Sequence, residues 1–264
     1  MFNSSDPRFF DLETCLNLRD LGGYQGLHNR TVRRGSLFRS MTPHYMSAND
    51  AAKAAALGIG LVIDLRGDRY TTSGPLGEPP ARRIAVGPTF LRDLAQLPPE
   101  ATALMAAPPE DALPRLLEAY GPAFAQAVQT MAEAPMRPTL FHCRLGKDRT
   151  GVFAALLLKL LRVSQTDIIE DYMLTARVED AMKAFLARQE DASESREPRV
   201  AREPVSRRAM ECVLDLLQSQ YGTAYSYFQH YGVPAVALDT LIECLLTPPS
   251  GAEDSSQPLA AHVS

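Results

Sequence analysis

The chain has 264 residues, with 27 Lys plus Arg against 31 Asp plus Glu and a formal net charge of −4. That balance excludes a generally basic nucleic-acid binder, whose hold on the phosphate backbone needs a positive field. With 45% hydrophobic and 22% charged residues, the composition is that of a folded globular protein and excludes wholesale disorder. The N-terminal stretch has no basic segment followed by an apolar one, so no secretory signal is read there. No apolar run approaches the roughly 20 residues that span a bilayer. The expected location is the cytoplasm, or the outside of the cell by a route that needs no signal peptide. The four cysteines, Cys15, Cys143, Cys212 and Cys244, form no CxxC pair, and the five histidines are scattered with no HExxH. No disulfide framework, metal site or cofactor is expected.

Along the chain, the first 45 residues are rich in turn formers, with a short strand at Ser36-Leu37-Phe38. Asn49 to Leu57 is Ala-rich and reads as a helix, with Ser47 or Asn49 as its cap and Gly58 as its stop. Gly60 to Arg66 is a short apolar run ending in charge, the pattern of a buried parallel strand, and Arg83 to Val86 is a weaker strand. Residues 94 to 114, with two Pro-Pro pairs, read as an irregular excursion, followed by helical spacing from Leu116 to Ala132 interrupted at Gly121-Pro122. Pro138 to His142 is a strand that runs into a Gly-containing turn and an apolar helix from Gly151 to Arg162. Thr166 to Arg188 reads as one helix capped by Thr166, residues 189 to 206 as a mobile connection, and Arg207 to Ser219 and Pro234 to Leu246 as amphipathic helices. Residues 1–247 form the expected domain, and 248–264, polar and small, a disordered tail. Strands separated by helices imply an α/β fold with a central, mostly parallel sheet flanked by helices.

The chemistry is concentrated in His142-Cys143-Arg144-Leu145-Gly146-Lys147-Asp148-Arg149-Thr150-Gly151, where a strand ends and a helix begins. Open α/β sheets bind ligands beyond the carboxyl ends of their strands, and a helix N-terminus offers backbone N–H groups and partial positive charge to an anion. A cysteine at that mouth is biased toward thiolate, the nucleophilic form. Arg149, six residues on, can grip two oxygens of a tetrahedral oxyanion in a bidentate fork. Arg144, Leu145, Gly146 and Lys147 supply the cradle of N–H donors between them, and Gly146 permits a turn that a Cβ would hinder. This set suits displacement on a phosphate monoester through a cysteinyl-phosphate, with the Thr150 hydroxyl bonding the sulfur as it leaves.

The segment resembles the His-Cys-x5-Arg-Ser/Thr loop of cysteine-based protein tyrosine phosphatases. Its inner Gly-Lys-Asp-Arg-Thr-Gly is similar to that of the bacterial tyrosine-phosphatase-like family. Asn17 to Tyr24 (NLRDLGGY), Gly35 to Ser40 (GSLFRS), Val62 to Arg66 (VIDLR), Asp171-Tyr172, Tyr221-Gly222 and Tyr231 to Val233 resemble that family's further blocks, in order over about residues 15 to 247. Where the family often has a glutamate after the Asp-Leu-Arg block, this chain has Tyr70. The resemblance implies a tyrosine-phosphatase-like fold with a helical C-terminal part, and a lid over the site as one reading of the charged stretch from Thr175 to Arg188; a plain solvated face is the other. It implies phosphotyrosine proteins as partners, with phosphoserine or phosphothreonine proteins and phosphoinositides as further substrate classes. Lys147, with Arg144 as a further cation, favours substrates carrying extra phosphates.

The proton donor for the leaving oxygen is Asp148, inside the loop, or Asp93, after the second strand. His142 reads as a structural hydrogen-bonder that tunes Cys143. Asp64 with Arg66, and Asp20 with Arg19, read as structural pairs, with Arg19 alternatively ordering the rim of the site. Cys15, Cys212 and Cys244 read as core or surface residues. Two other functions compete: a module that only captures phosphorylated partners, which usually lacks the cysteine or the arginine, and a rhodanese-type sulfurtransferase, whose loop is usually one residue shorter.

Overall fold

The computed structural model describes residues 6–68, 74–77, 80–88, 107–189 and 203–248. Its sheet has five strands: β1 (Arg19–Asp20), β2 (Leu37–Ser40), β3 (Leu61–Asp64), β4 (Arg82–Ala85) and β5 (Thr139–His142), in the order β1-β2-β5-β3-β4. Only β1 is antiparallel to its neighbour. The expected mostly parallel α/β sheet is therefore present. His142 at the end of β5 pairs with Ser40 on one side and Asp64 on the other, so three strands end level at the centre of the sheet.

Side chains alternate across these strands with period two. Leu37, Ile63 and Phe141 face one core, and Phe38, Val62 and Leu140 face the other. The first face is covered by α2 (Pro109–Ala119), α3 (Gly121–Ala132), α4 (Asp148–Leu160), α5 (Gln165–Met173), α7 (Arg207–Tyr221), α8 (Ala224–His230) and α9 (Ala235–Leu245). The second is covered by α1 (Ala48–Ala55), α6 (Glu179–Gln189) and the segment before β1. Burial on both faces explains why the strands read as continuous apolar runs. No helix of the described residues is long and apolar enough to cross a membrane.

Several boundaries differ from the sequence reading. The described part of the expected excursion is already helical from Pro109, because Pro suits the first position of a helix and Glu110 and Asp111 fill its first turn. Helix α4 begins at Asp148 rather than Gly151, which puts Arg149 and Thr150 on its first turn. The single helix expected from Thr166 is two helices, α5 and α6, joined by a 3-10 turn at Leu174–Arg177. Its cap is Ser164, whose hydroxyl accepts from the Asp167 N–H at 3.1 Å. Ser47 caps α1, as one of the two expected residues. The connection expected at 189–206 lies mostly outside the described residues, as does the tail from 249 onward.

Candidate active site

Cys143 follows the end of β5 and is 2% exposed, at the start of the turn that leads into α4. The carbonyls of this turn are held one after another. Cys143 O accepts from His142 Nδ1 at 3.0 Å, and Arg144 O from the Thr42 N–H at 2.8 Å. Gly146 O accepts from Asn17 Nδ2 at 3.1 Å and Arg39 Nη2 at 2.7 Å, and Lys147 O from the Gly151 N–H at 2.7 Å. In a trans peptide the N–H points opposite to the carbonyl. Pinning the 144 and 146 carbonyls outward therefore turns the N–H groups of Leu145 and Lys147 to the concave side of the turn, the arrangement of an anion nest.

Gly146 is the residue that lets the turn close. Its φ is +65°, and a Cβ there would lie 2.7 Å from Met41 N as well as against the Ser40 carbonyl. Gly151 is needed for a second reason: a Cβ would meet the Tyr172 ring at 2.8 Å.

Behind the turn sits a buried ionic cluster. Asp171 on α5, 1% exposed, accepts from Arg19 Nε at 3.0 Å and Arg39 Nη1 at 2.7 Å, and both arginines are fully buried. Arg19 also bonds the Asn17 Oδ1. Burial opposes a charge on Asp171, but the two guanidinium groups outweigh it and hold the carboxyl below the usual carboxylate range. Arg39 thus joins Asp171 to the Gly146 carbonyl directly, while Asn17 joins Arg19 to the same oxygen. The expected Arg19–Asp20 pair is not formed, because neighbours on a strand face opposite ways. Asp20 instead accepts from the Gly22 and Gly35 N–H groups at 2.8 and 2.9 Å. Arg19 reaches the turn only through Asn17, which bonds the Gly146 carbonyl. Asn17 and Arg39 were not singled out from sequence; the blocks NLRDLGGY and GSLFRS that contain them were the available signal.

On the other side, Asp64 pairs with Arg66 at 2.8 Å as expected, and also with Arg83 at 2.7 Å. Burial would raise its carboxyl, yet the His142 ring and the Arg66 and Arg83 guanidinium groups hold it far below its ordinary range. The His142 ring is fully buried 4.0 Å from Asp64, and burial lowers its pKa to about 4. It is therefore neutral at pH 7, with its hydrogen on Nδ1 toward the Cys143 carbonyl. Between about pH 6.5 and 4 the unfolded chain binds the proton that the folded one refuses, so stability rises with pH across that window. Cooling the pH from neutrality toward 4 should cost up to about 3 kcal/mol in urea unfolding, and His142→Asn should flatten that slope. An unchanged slope in the variant would show that the imidazole titrates normally.

The other expected residues fall as follows. Arg149, half-buried, donates from Nη1 to the Leu65 carbonyl at 3.4 Å, beyond the end of β3. Asp148 is half-buried on the first turn of α4, beside it in sequence. Arg144 is half-buried and Leu145 buried. Among the described residues the buried Thr150 hydroxyl has no hydrogen-bond partner, so the expected bond to the Cys143 sulfur is not made here; a thiol is a weak acceptor. Lys147 is 1% exposed, and its ammonium bonds Glu179 at 3.1 Å and the Glu203 carbonyl at 2.6 Å. That is a different placement from a cation offered to extra phosphates. Asp93 and Tyr70 lie outside the described residues. Cys15 is core, its thiol pushed up to about 12 by burial, and Cys212 and Cys244 are half-buried. Among the described residues no group of three or more His, Cys, Asp or Glu is arranged to hold a metal ion.

Comparison with known proteins adds identity to this geometry. A protein of Cupriavidus necator, provisionally named a tyrosine-protein phosphatase, is 35% identical over 170 residues, 61% of this chain and 60% of that protein. A tyrosine-protein phosphatase of Nostoc commune is 33% identical over 205 residues, 70% of this chain and 65% of that protein. The chain thus spans less than two thirds of the length of these relatives. The crystal structure of TpbA from P. aeruginosa is similar at a TM-score of 0.30 and 22% identity, covering 62% of this chain and 86% of that one. The model of the family described as "Tyrosine phosphatase family" matches residues 10–247, nearly the whole described fold, and this chain therefore belongs to that family.

Proposed function

We propose that this protein hydrolyses phosphate monoesters, with phosphotyrosine in proteins as its main substrate class, through a phosphoenzyme on Cys143. The observation that carries the reading is the outward pinning of the Arg144 and Gly146 carbonyls just before α4. That arrangement turns the Leu145 and Lys147 N–H groups to one side of a turn that starts at Cys143 and ends at the N-terminus of α4, and Arg149 stands on the first helical turn. Such a field favours a bound dianion. The names of the relatives support the phosphotyrosine class.

In the reaction, the Cys143 thiolate attacks phosphorus and the bond to the leaving oxygen breaks. Asp148 gives that oxygen its proton. Water then attacks phosphorus, Asp148 takes up the water's proton, and the phosphorus–sulfur bond breaks to return the thiolate and inorganic phosphate. The N–H groups and Arg149 stabilise the equatorial oxygens in both steps. An unpartnered buried hydroxyl costs about 1–3 kcal/mol, and Thr150 recovers that cost when it donates to an ionised sulfur, a better acceptor than the thiol.

Turnover of p-nitrophenyl phosphate should persist in excess EDTA. Asp148→Asn should lower kcat on phenyl phosphate, a poor leaving group, by about 10²-fold or more, and on p-nitrophenyl phosphate by much less. If Asp93→Asn shows the leaving-group-dependent loss instead, Asp93 is the acid and the Asp148 assignment falls. Capture of a phosphotyrosine peptide with no turnover by the wild type would make the protein a binding module.

A further inference from the structure

Lys147 lies within the turn before α4, yet its ammonium is held inside the protein. The ammonium bonds Glu179 Oε1 at 3.1 Å and the Glu203 carbonyl at 2.6 Å. Glu179 is 4% exposed at the first position of α6. Its Oε2 accepts the Val205 N–H at 3.0 Å, and Lys183, one helical turn on, shares Oε1 at 3.0 Å. One carboxylate therefore ties the turn to α6 and to the segment that leads into α7. Burial opposes the Glu179 charge, but Lys147 and the Val205 N–H outweigh it and hold the carboxyl below its usual range.

A lysine is a point charge on a flexible four-carbon stem. Freed from a counter-charge, an ammonium in this turn would reach for a second phosphate on a bound substrate. Held by a buried carboxylate it does not, because leaving would strip a buried ion pair of one partner. Resting on the reading that the turn binds a phosphoryl group, we propose that Glu179 is a specificity-determining residue that holds and neutralises Lys147. The site then grips one phosphoryl group through its amides and Arg149 and gains nothing from another phosphate on the same carrier. The substrate class this selects is the singly phosphorylated side chain, against inositol polyphosphates.

The test compares kcat/KM on inositol 1,4,5-trisphosphate with that on p-nitrophenyl phosphate. In Glu179→Gln the ratio should rise about tenfold at low ionic strength, since the carboxylate that holds the Lys147 ammonium at 3.1 Å loses its charge. In the double variant Glu179→Gln/Lys147→Met the gain should vanish. An unchanged ratio in the single variant, or an equal gain in the double, overturns the proposal. Should Glu179→Gln fail to fold, Lys147→Met alone decides, because Lys183 still pairs Glu179 there. Its ratio should stay within about twofold of wild type, and a tenfold fall would show Lys147 already on the substrate. A wild type that turns over no phosphate monoester overturns the underlying function, whereas these ratio outcomes in an active enzyme bear on Glu179 alone.

Discussion

Cys143→Ser is expected to lower kcat on p-nitrophenyl phosphate by on the order of 10⁴-fold or more, the scale on which enzymes lose turnover with their nucleophile. The reason is the identity of the attacking atom. Sulfur is intrinsically the stronger nucleophile, and a serine hydroxyl does not replace it. The rest of the site does not depend on the sulfur. The carbonyl pinning by Thr42, Asn17 and Arg39 runs behind the turn, and Arg149 is on the helix. Vanadate or phosphate should therefore bind the variant about as tightly as wild type. Two measurements check this: initial rates with and without EDTA, and anion affinity by calorimetry. Activity within tenfold of wild type would remove Cys143 from the mechanism, and loss of anion binding would mean that the substitution had collapsed the turn.

The turn itself was legible in sequence because everything local is written there. A strand ends at His142, Gly146 supplies the positive φ, and the helix N-terminus follows directly. What surrounds the turn was not legible in the same way, because its partners come from far along the chain. Lys147 looks like a cation offered to substrate until Glu179, 32 residues later, is found against it. Arg19 looks like the partner of Asp20 until the pleat turns them apart and Asp171, 152 residues on, takes its guanidinium. The N-terminal bounds of α2 and α5 differ from those the sequence implies for a different reason. Pro109 and Ser164 are helix starters only in a particular register, and Pro-Pro or Thr alone does not fix which residue is first. The family blocks were the better guide, since Asn17, Arg39 and Asp171 each lie in one. Their spacing in sequence carries no information about the single network they form.

That network makes Asp171→Asn the substitution with the largest expected structural effect. The change is nearly isosteric, so packing is kept and only the charge is lost. Arg19 and Arg39, both 0% exposed, then face each other with no counter-charge. Breaking a buried ion pair by removing one partner typically costs about 3–5 kcal/mol, and here two cations lose the same anion. Burial and the neighbouring Arg39 lower the Arg19 pKa to about 10 even with Asp171 in place, so Arg19 is charged at neutral pH in the wild type. The damage should reach catalysis through the Gly146 carbonyl. Arg39 bonds that oxygen through Nη2 and Asp171 through Nη1, so a relaxed Arg39 leaves Asn17 as its remaining side-chain donor and loosens the Lys147 N–H in the nest. Unfolding in urea should show the loss in midpoint, and kcat measured well below the new transition should fall as well, with weaker vanadate binding. The pH dependence gives an independent sign. A carboxyl held low when folded contributes stability that is present above its unfolded value of about 3.9 and is lost as pH falls below it. The Asn variant should lack that part of the acid sensitivity while keeping the part due to Asp64. A loss of less than about 1 kcal/mol, with vanadate affinity unchanged, would show that the turn keeps its shape without the buried triad.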